Sequence, residues 1–314
     1  MENISGVVPA HSQWKEALTR IWEEAFGDDR ERVELFHEYF PVEKHAWCYA
    51  GPGGPLSVIY ALPALRWEAD GSRQPIRYLY AGASRKECRG NGYYGRLLRT
   101  LCSDKAQTVL VPVRELIHYY EKLGFVLLEN EPGMRLDLKT EHEDENYMDG
   151  NHDDKSHAYG NRGEVSHEDK NYVGRSHDDK NNHEDKNYAD RNTCSLHEIG
   201  AERYKELREL WLGRPGYVEW DLNYLDYALT SCRLDGGLAA EVVVGRESHI
   251  LLGSPVGGCL VITETSLGRE KLKLAGGLIG EIYGCDRAVT RGSLLMAYGN
   301  KWEERPYFSI ALED

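Results

Sequence analysis

Trp14, Leu18, Ile21, Trp22 and Ala25 recur at intervals of three and four residues, one buried face of a helix, and Gly27 closes it. Asp28 or Asp29 can cap a second helix, which must end before Pro41. The period then changes. Strand-like runs at 45–50, 56–69 and 75–84 are separated by Gly-Pro-Gly-Gly at 51–54 and Asp-Gly at 70–71, so three antiparallel strands are expected. Tyr94, Leu97, Leu98 and Leu101 return to helical spacing, 108–113 reads as a strand, and 115–123 as a short helix stopped by Gly124, with another strand from Phe125. The order is strand, two helices, three strands, helix, strand, helix, strand. This predicts an α/β (α+β) domain over 1–140 whose mixed, mainly antiparallel sheet is flanked by helices.

Apolar patterning stops at 141 and resumes at 193. Between Glu141 and Asn192 there is no Leu, Ile, Phe or Trp, and His-Asp/Glu-Asp-Lys repeats at 152, 167, 177 and 183. Such a segment buries too little apolar area to offset an ordering cost of about 1–2 kcal/mol per residue, so a disordered acidic linker is expected. Its six histidines lie among acids, but their irregular spacing does not specify a metal site, and none is assigned. From 193 the pattern is globular again. Helices are expected at 201–212, from Asp221 through Arg233, and around 268–278; strands are expected at 238–244, 250–253, 258–265, 281–283, 294–298 and 307–312. Gly236-Gly237, Gly257-Gly258 and Gly276-Gly277 read as turn or cap material.

Length and composition change this picture little: 314 residues with 41% hydrophobic content suit two soluble domains. Charge changes it more. Of the formal −14, the 141–192 segment carries −8, from 15 acidic and 7 basic residues, and the remaining −6 offers no basic face for nucleic acid. No 18-residue apolar run and no signal-like N-terminus is present, so no membrane partner and a cytoplasmic location are expected. Seven scattered cysteines without a Cys-x-x-Cys pair argue against a disulfide framework or zinc knuckle. Cys88 beside Arg89 lacks an identifiable histidine partner for nucleophilic work.

Candidate chemistry concentrates in Arg89-Gly90-Asn91-Gly92-Tyr93-Tyr94-Gly95, between a strand and the mouth of a helix. Glycines there let the backbone approach a ligand, and the first helical amides point unpaired at whatever lies ahead, an arrangement suited to a pyrophosphate. The run lacks the Gly-Lys-Ser/Thr ending of a P-loop and the Gly-x-Gly-x-x-Gly of a dinucleotide fold. It resembles the Arg/Gln-x-x-Gly-x-Gly/Ala loop of the GCN5-related N-acetyltransferases (GNAT), through Arg89 and Gly92. Tyr94 replaces the usual last small residue, as in the branch similar to the enhanced-intracellular-survival acetyltransferases. Tyr119-Tyr120-Glu121-Lys122-Leu123-Gly124-Phe125 is similar to the Tyr-Glu-Lys-Leu-Gly-Phe signature of that superfamily.

The resemblance implies a tandem protein with a degenerate GNAT-like domain over 193–314, and acetyl-CoA as cosubstrate. It implies transfer of acetyl to an amine, on a small molecule or peptide, by direct attack in a ternary complex. Tyr120 would protonate the departing thiolate, main-chain amides of Gly82, Ala83 and Ser84 would polarise the thioester carbonyl, and 89–95 would hold the diphosphate. The C-terminal carboxylate of Asp314 is a candidate base by the same resemblance, beside Glu23, Glu24 and Glu87. Two departures matter: Val113 stands where the family often has asparagine, and the strand at 76–83 carries no carboxylate. A non-catalytic acyl-CoA-binding regulatory protein is the alternative, while aminoacyl transfer from charged tRNA is disfavoured by the acidic charge. Glu264 in the second half is taken as packing support unless it reaches a cleft. A homo-oligomer is left open.

Overall fold

The computed structural model describes residues 5–104, 106–128, 135–138, 193–290 and 295–299. Its first half contains β1 (Gly6–Pro9), α1 (Lys15–Phe26), α2 (Arg30–Tyr39), α3 (Val42–His45), β2 (Ala46–Gly51), β3 (Gly54–Trp67) and β4 (Arg73–Ser84). These are followed by α4 (Tyr93–Leu101), β5 (Thr108–Leu110), α5 (Ile117–Glu121), β6 (Val126–Leu128) and β7 (Arg135–Asp137). The second half contains β8 (Cys194–Glu198), α6 (Ala201–Leu212), β9 (Val218–Glu219), α7 (Leu222–Leu234), β10 (Leu238–Val244), β11 (Glu247–Val256) and β12 (Cys259–Thr265). It continues with α8 (Arg269–Tyr283), β13 (Arg287–Thr290) and β14 (Leu295–Tyr298).

Local chemistry explains the helix ends. Gly27 takes a left-handed φ of 78° and closes α1, while the Asp29 carboxylate accepts from the Arg32 amide at 3.0 Å and caps α2. Asp28 serves differently, accepting from Trp22 Nε1 at 2.7 Å. Leu18, Ile21 and Trp22 of the α1 stripe are buried. Asp221 caps α7 by accepting from the Tyr224 amide at 2.7 Å.

Two mixed sheets form, each flanked by helices. The first runs β1-β2-β3-β4-β5-β14-β6, with β9 added beside the far part of β3, and the second runs β7-β13-β12-β11-β10-β8. In the first, β2, β3 and β4 pair antiparallel as expected, and β4 and β5 run parallel. The sheets do not divide at residue 140. β7, from the first half, pairs with β13, whereas β14, from the second half, lies between β5 and β6. Halves are also joined by packing: Phe36 of α2 and Phe40 just past its end meet Tyr227 of α7, with ring centroids 5.5 and 5.4 Å apart. The Tyr39 hydroxyl donates to Asp226 at 2.8 Å, and Arg32 pairs with Asp235.

Several expected elements differ. Residues 281–283 form the end of α8, which continues through Gly276, Gly277 and Gly280 to a left-handed Gly284 at φ 64°. Gly276 lies inside that helix because a Cβ there would meet Leu138 at 3.1 Å; its smallness admits the chain that leaves β7. The strand expected over 108–113 pairs only through Leu110, and β8 and β9 carry no apolar alternation long enough to announce them. The linker expected at 141–192, the strand at 307–312 and Asp314 lie outside the described residues.

Candidate active site

β4 and β5 pair only at Arg77 with Thr108, Tyr78 with Val109 and Leu79 with Leu110. Beyond Leu79 β4 continues to Ser84 along β3, so the two parallel strands part and open a wedge. At the opening, β4 carries an extra residue between its pairings of Tyr80 with Tyr60 and Ala83 with Val58. Ala81 adopts φ 49° there, a left-handed conformation that costs a non-glycine residue roughly 1–2 kcal/mol. Such a bulge bends the strand and turns main-chain groups out of the ladder. Gly82, Ala83 and Ser84 follow directly, where the sequence placed the amides for a thioester oxygen.

The loop at 89–95 faces the same wedge from the neighbouring helix. Gly92 is the N-cap of α4 with φ 76°, and no side chain caps that end. The first intrahelical bond runs from the Arg96 amide to the Gly92 carbonyl at 3.1 Å, so the amides of Tyr93, Tyr94 and Gly95 precede the helical ladder. Gly90 has φ 82°, and open space surrounds the Cβ positions of both Gly90 and Gly92. Arg89 Nε donates to the Ser84 carbonyl at 3.3 Å, tying loop to strand, and Asn91 Nδ2 donates to the Cys88 carbonyl at 3.1 Å. Lys86, Arg89 and Arg96 are exposed around the loop. Arg96 lies over Tyr49, whose ring stacks on Tyr93 at 4.8 Å. Uncapped amides, glycines without steric neighbours and a basic rim fit a diphosphate.

Tyr120 is 7% exposed among Ile59, Leu79, Leu97 and Leu110. Its hydroxyl lies 3.2 Å from that of Tyr94. Tyr94 in turn reaches Gly82 so closely that a Cβ on Gly82 would stand 2.1 Å from the Tyr94 oxygen. Two hydroxyls and the bulged strand therefore converge at one point. Burial pushes the Tyr120 phenol above its ordinary pKa and the Tyr94 hydrogen bond pulls it back. Burial likewise holds Tyr94 well above the ordinary range.

The candidate acids are placed elsewhere or engaged. Glu23 accepts from Arg30 at 3.2 Å, the Glu24 carboxylate accepts from the Lys86 amide at 3.2 Å, and Glu87 is exposed. Val113 is exposed. Glu264 lies fully buried in the second half: Arg208 Nε donates to both its oxygens at 3.1 Å and Tyr204 donates at 2.6 Å. A cavity of about 240 Å³ lined by Leu98, Arg99, Cys102, Lys122, Phe125 and Tyr298 opens at the far end of α4 from the glycine loop. Missed by the sequence was His37, buried beside Trp22 and Phe36. Its Nε2 lies 2.6 Å from the Tyr60 hydroxyl, its Nδ1 lies 3.4 Å from Thr19, and burial pushes its pKa down to about 4. Only the tertiary fold assembles that environment, so no spacing signals it. Among the described residues no group of His, Cys, Asp and Glu is arranged to hold a metal, and no helix is long and apolar enough to cross a membrane.

The fold as a whole matches solved structures. A GCN5-related N-acetyltransferase from Anabaena variabilis superposes with a TM-score of 0.62 at 12% identity, covering 93% of this chain and 71% of that one. The chain has the GNAT fold. A probable N-acyltransferase from Enterococcus faecalis gives 0.59 at 14% identity over 93% of this chain and 71% of its own. Eis1 from Mycobacterium abscessus gives 0.52 at 10% identity, over 97% of this chain and 66% of that one. Because these likenesses span both sheets, the GNAT match is to the two-sheet arrangement as a whole. No family model and no curated protein sequence matches the chain.

Proposed function

We propose that this protein is an acyl-CoA-dependent N-acyltransferase that moves acetyl from acetyl-CoA to an amine within a ternary complex. The observation carrying this reading is the pair of hydroxyls beside the bulged strand, with Tyr94 against Gly82 and Tyr120 3.2 Å from Tyr94. The amides of Tyr93, Tyr94 and Gly95, with Arg89 and Gly92, hold the diphosphate of the donor. Main-chain N–H groups from Gly82 to Ser84 stabilise charge on the thioester oxygen. Tyr120, kept protonated by burial, gives its proton to sulfur as the C–S bond breaks. The acceptor is a small-molecule or peptide amine, and net negative charge favours a cationic one. Seven free cysteines are in keeping with a cytoplasmic setting.

A non-catalytic acyl-CoA-binding role is the second reading, favoured by the engagement of Glu23 and Glu24. Turnover separates the two. Thiol release from acetyl-CoA is measured against a panel of amines, with Tyr120→Phe alongside. Acyl transfer predicts amine-dependent release that falls at least 100-fold in the variant, within the usual range for a lost general acid of about 10²–10⁴. Binding of acetyl-CoA without release under any amine supports the regulatory reading; a variant as fast as the parent removes Tyr120 as the acid.

A further inference from the structure

Tyr94 occupies the place where a small residue would leave the helix mouth open, and it does more than fill space. Its ring enters the wedge, its oxygen lies against Gly82, and the same oxygen lies 3.2 Å from Tyr120. Gly82 makes this seat: any side chain there would stand 2.1 Å from the Tyr94 oxygen. Tyr119 stacks beside Tyr94 with ring centroids 6.2 Å apart and rings inclined by 18°, fixing its plane.

We propose that Tyr94 is the positioning residue for the general acid: its hydroxyl donates to the Tyr120 oxygen and leaves the Tyr120 proton directed at the departing sulfur. This rests on the acyl-transfer reading above. Two phenols sharing one hydrogen bond have one donor, and Tyr120 can serve sulfur only if it is the acceptor from Tyr94. As the C–N bond forms and the C–S bond breaks, the electron pair of that bond goes to sulfur and the Tyr120 proton follows it. Tyr120 is left as phenolate, the Tyr94 hydrogen bond spreads that charge, and the proton shed by the amine nitrogen restores Tyr120 through solvent. The direction of the bond agrees with the electrostatics, in which Tyr94 lowers the pKa of Tyr120 and Tyr120 raises that of Tyr94.

Tyr94→Phe keeps the ring and removes the hydroxyl. Single-turnover thiol release is expected to slow about tenfold, the worth of one hydrogen bond in the transition state, with the dissociation constant for acetyl-CoA unchanged. In a Tyr120→Phe background the same change is expected to cost nothing more, because the two hydroxyls act as one unit. Replacing Tyr120 by 3-fluorotyrosine, a more acidic phenol, is expected to recover part of the Tyr94→Phe loss. Tyr94→Phe at the parental rate with Tyr120→Phe slow overturns the positioning role and leaves the acid in place. An equal Tyr94→Phe loss in both backgrounds also overturns it, since the ring would then act by packing alone. Parental rates for both single variants remove Tyr120 as the acid and overturn the positioning role with it, whereas a parent that releases no thiol sinks the acyl-transfer reading itself.

Discussion

Gly92 illustrates how a single residue can be decisive without any contact. Its Cβ position is open, yet φ 76° lies where β-branched side chains are not tolerated. Gly92→Val is therefore expected to unwind the N-cap and weaken acetyl-CoA binding by tenfold or more, read by calorimetry; unchanged affinity would remove the amide cradle. The sequence exposed this residue because glycine just before a helical stripe has few other uses. It named Tyr94 within the loop but concealed its seat, which depends on the absence of a side chain at Gly82, twelve positions upstream on another element. His37 was concealed for the same reason and supplies a pH prediction. Its pKa of about 4 lies below the ordinary 6.5, so the unfolded chain binds the extra proton first. Its penalty is absent above pH 6.5, grows as pH falls to 4, and then levels at on the order of 3 kcal/mol. His37→Gln should flatten that part of the parent's stability curve between pH 7 and 4, followed by urea unfolding; an identical slope in both proteins would show that His37 protonates without cost.

Elements were legible where local rules act alone. Capping acids and turn glycines announced α1, α2, α7 and the β2–β3–β4 meander, because each boundary is set by residues within a few positions of it. α8 was cut short in the sequence because its internal glycines resemble a helix stop; Gly276 is there for the approach of Leu138, a partner 138 positions away. Glu264 was read from the sequence as packing support, and the Arg208–Glu264 pair has 0% side-chain exposure on both members; what the sequence did not show was its partners, 56 and 60 positions upstream. α6 presents Tyr204 and Arg208 on one face, and both reach that carboxylate. Glu264→Leu leaves the Arg208 charge buried without its counter-ion and is expected to cost about 3–5 kcal/mol in urea denaturation. A loss below about 1 kcal/mol would mean that water reaches the guanidinium.

For the whole molecule, order along the chain led to the expectation of two halves divided at 140 and 193 but not to their interlock, since three- and four-residue strands such as β7 and β14 leave almost no pattern of their own. Interlock has a thermodynamic consequence. A chain ending at residue 140 lacks the strand between β5 and β6 and leaves Leu136 and Leu138 without the second core that buries them. It is expected to give no cooperative thermal transition by circular dichroism, whereas a sharp transition would make the first half autonomous.

β7 and β8 form opposite edges of the second sheet, five strand spacings apart, and the chain of pairings makes them point the same way. Leu138 and Thr193 thus lie at opposite edges and opposite ends of the sheet, a separation of about 30 Å at roughly 4.8 Å per strand spacing. About ten extended residues suffice for such a span. The sequence supplies 54 residues between these two anchors, more than five times that minimum. Excising 150–185 leaves 18 of them, enough for the span, and the melting temperature is expected to stay where it was.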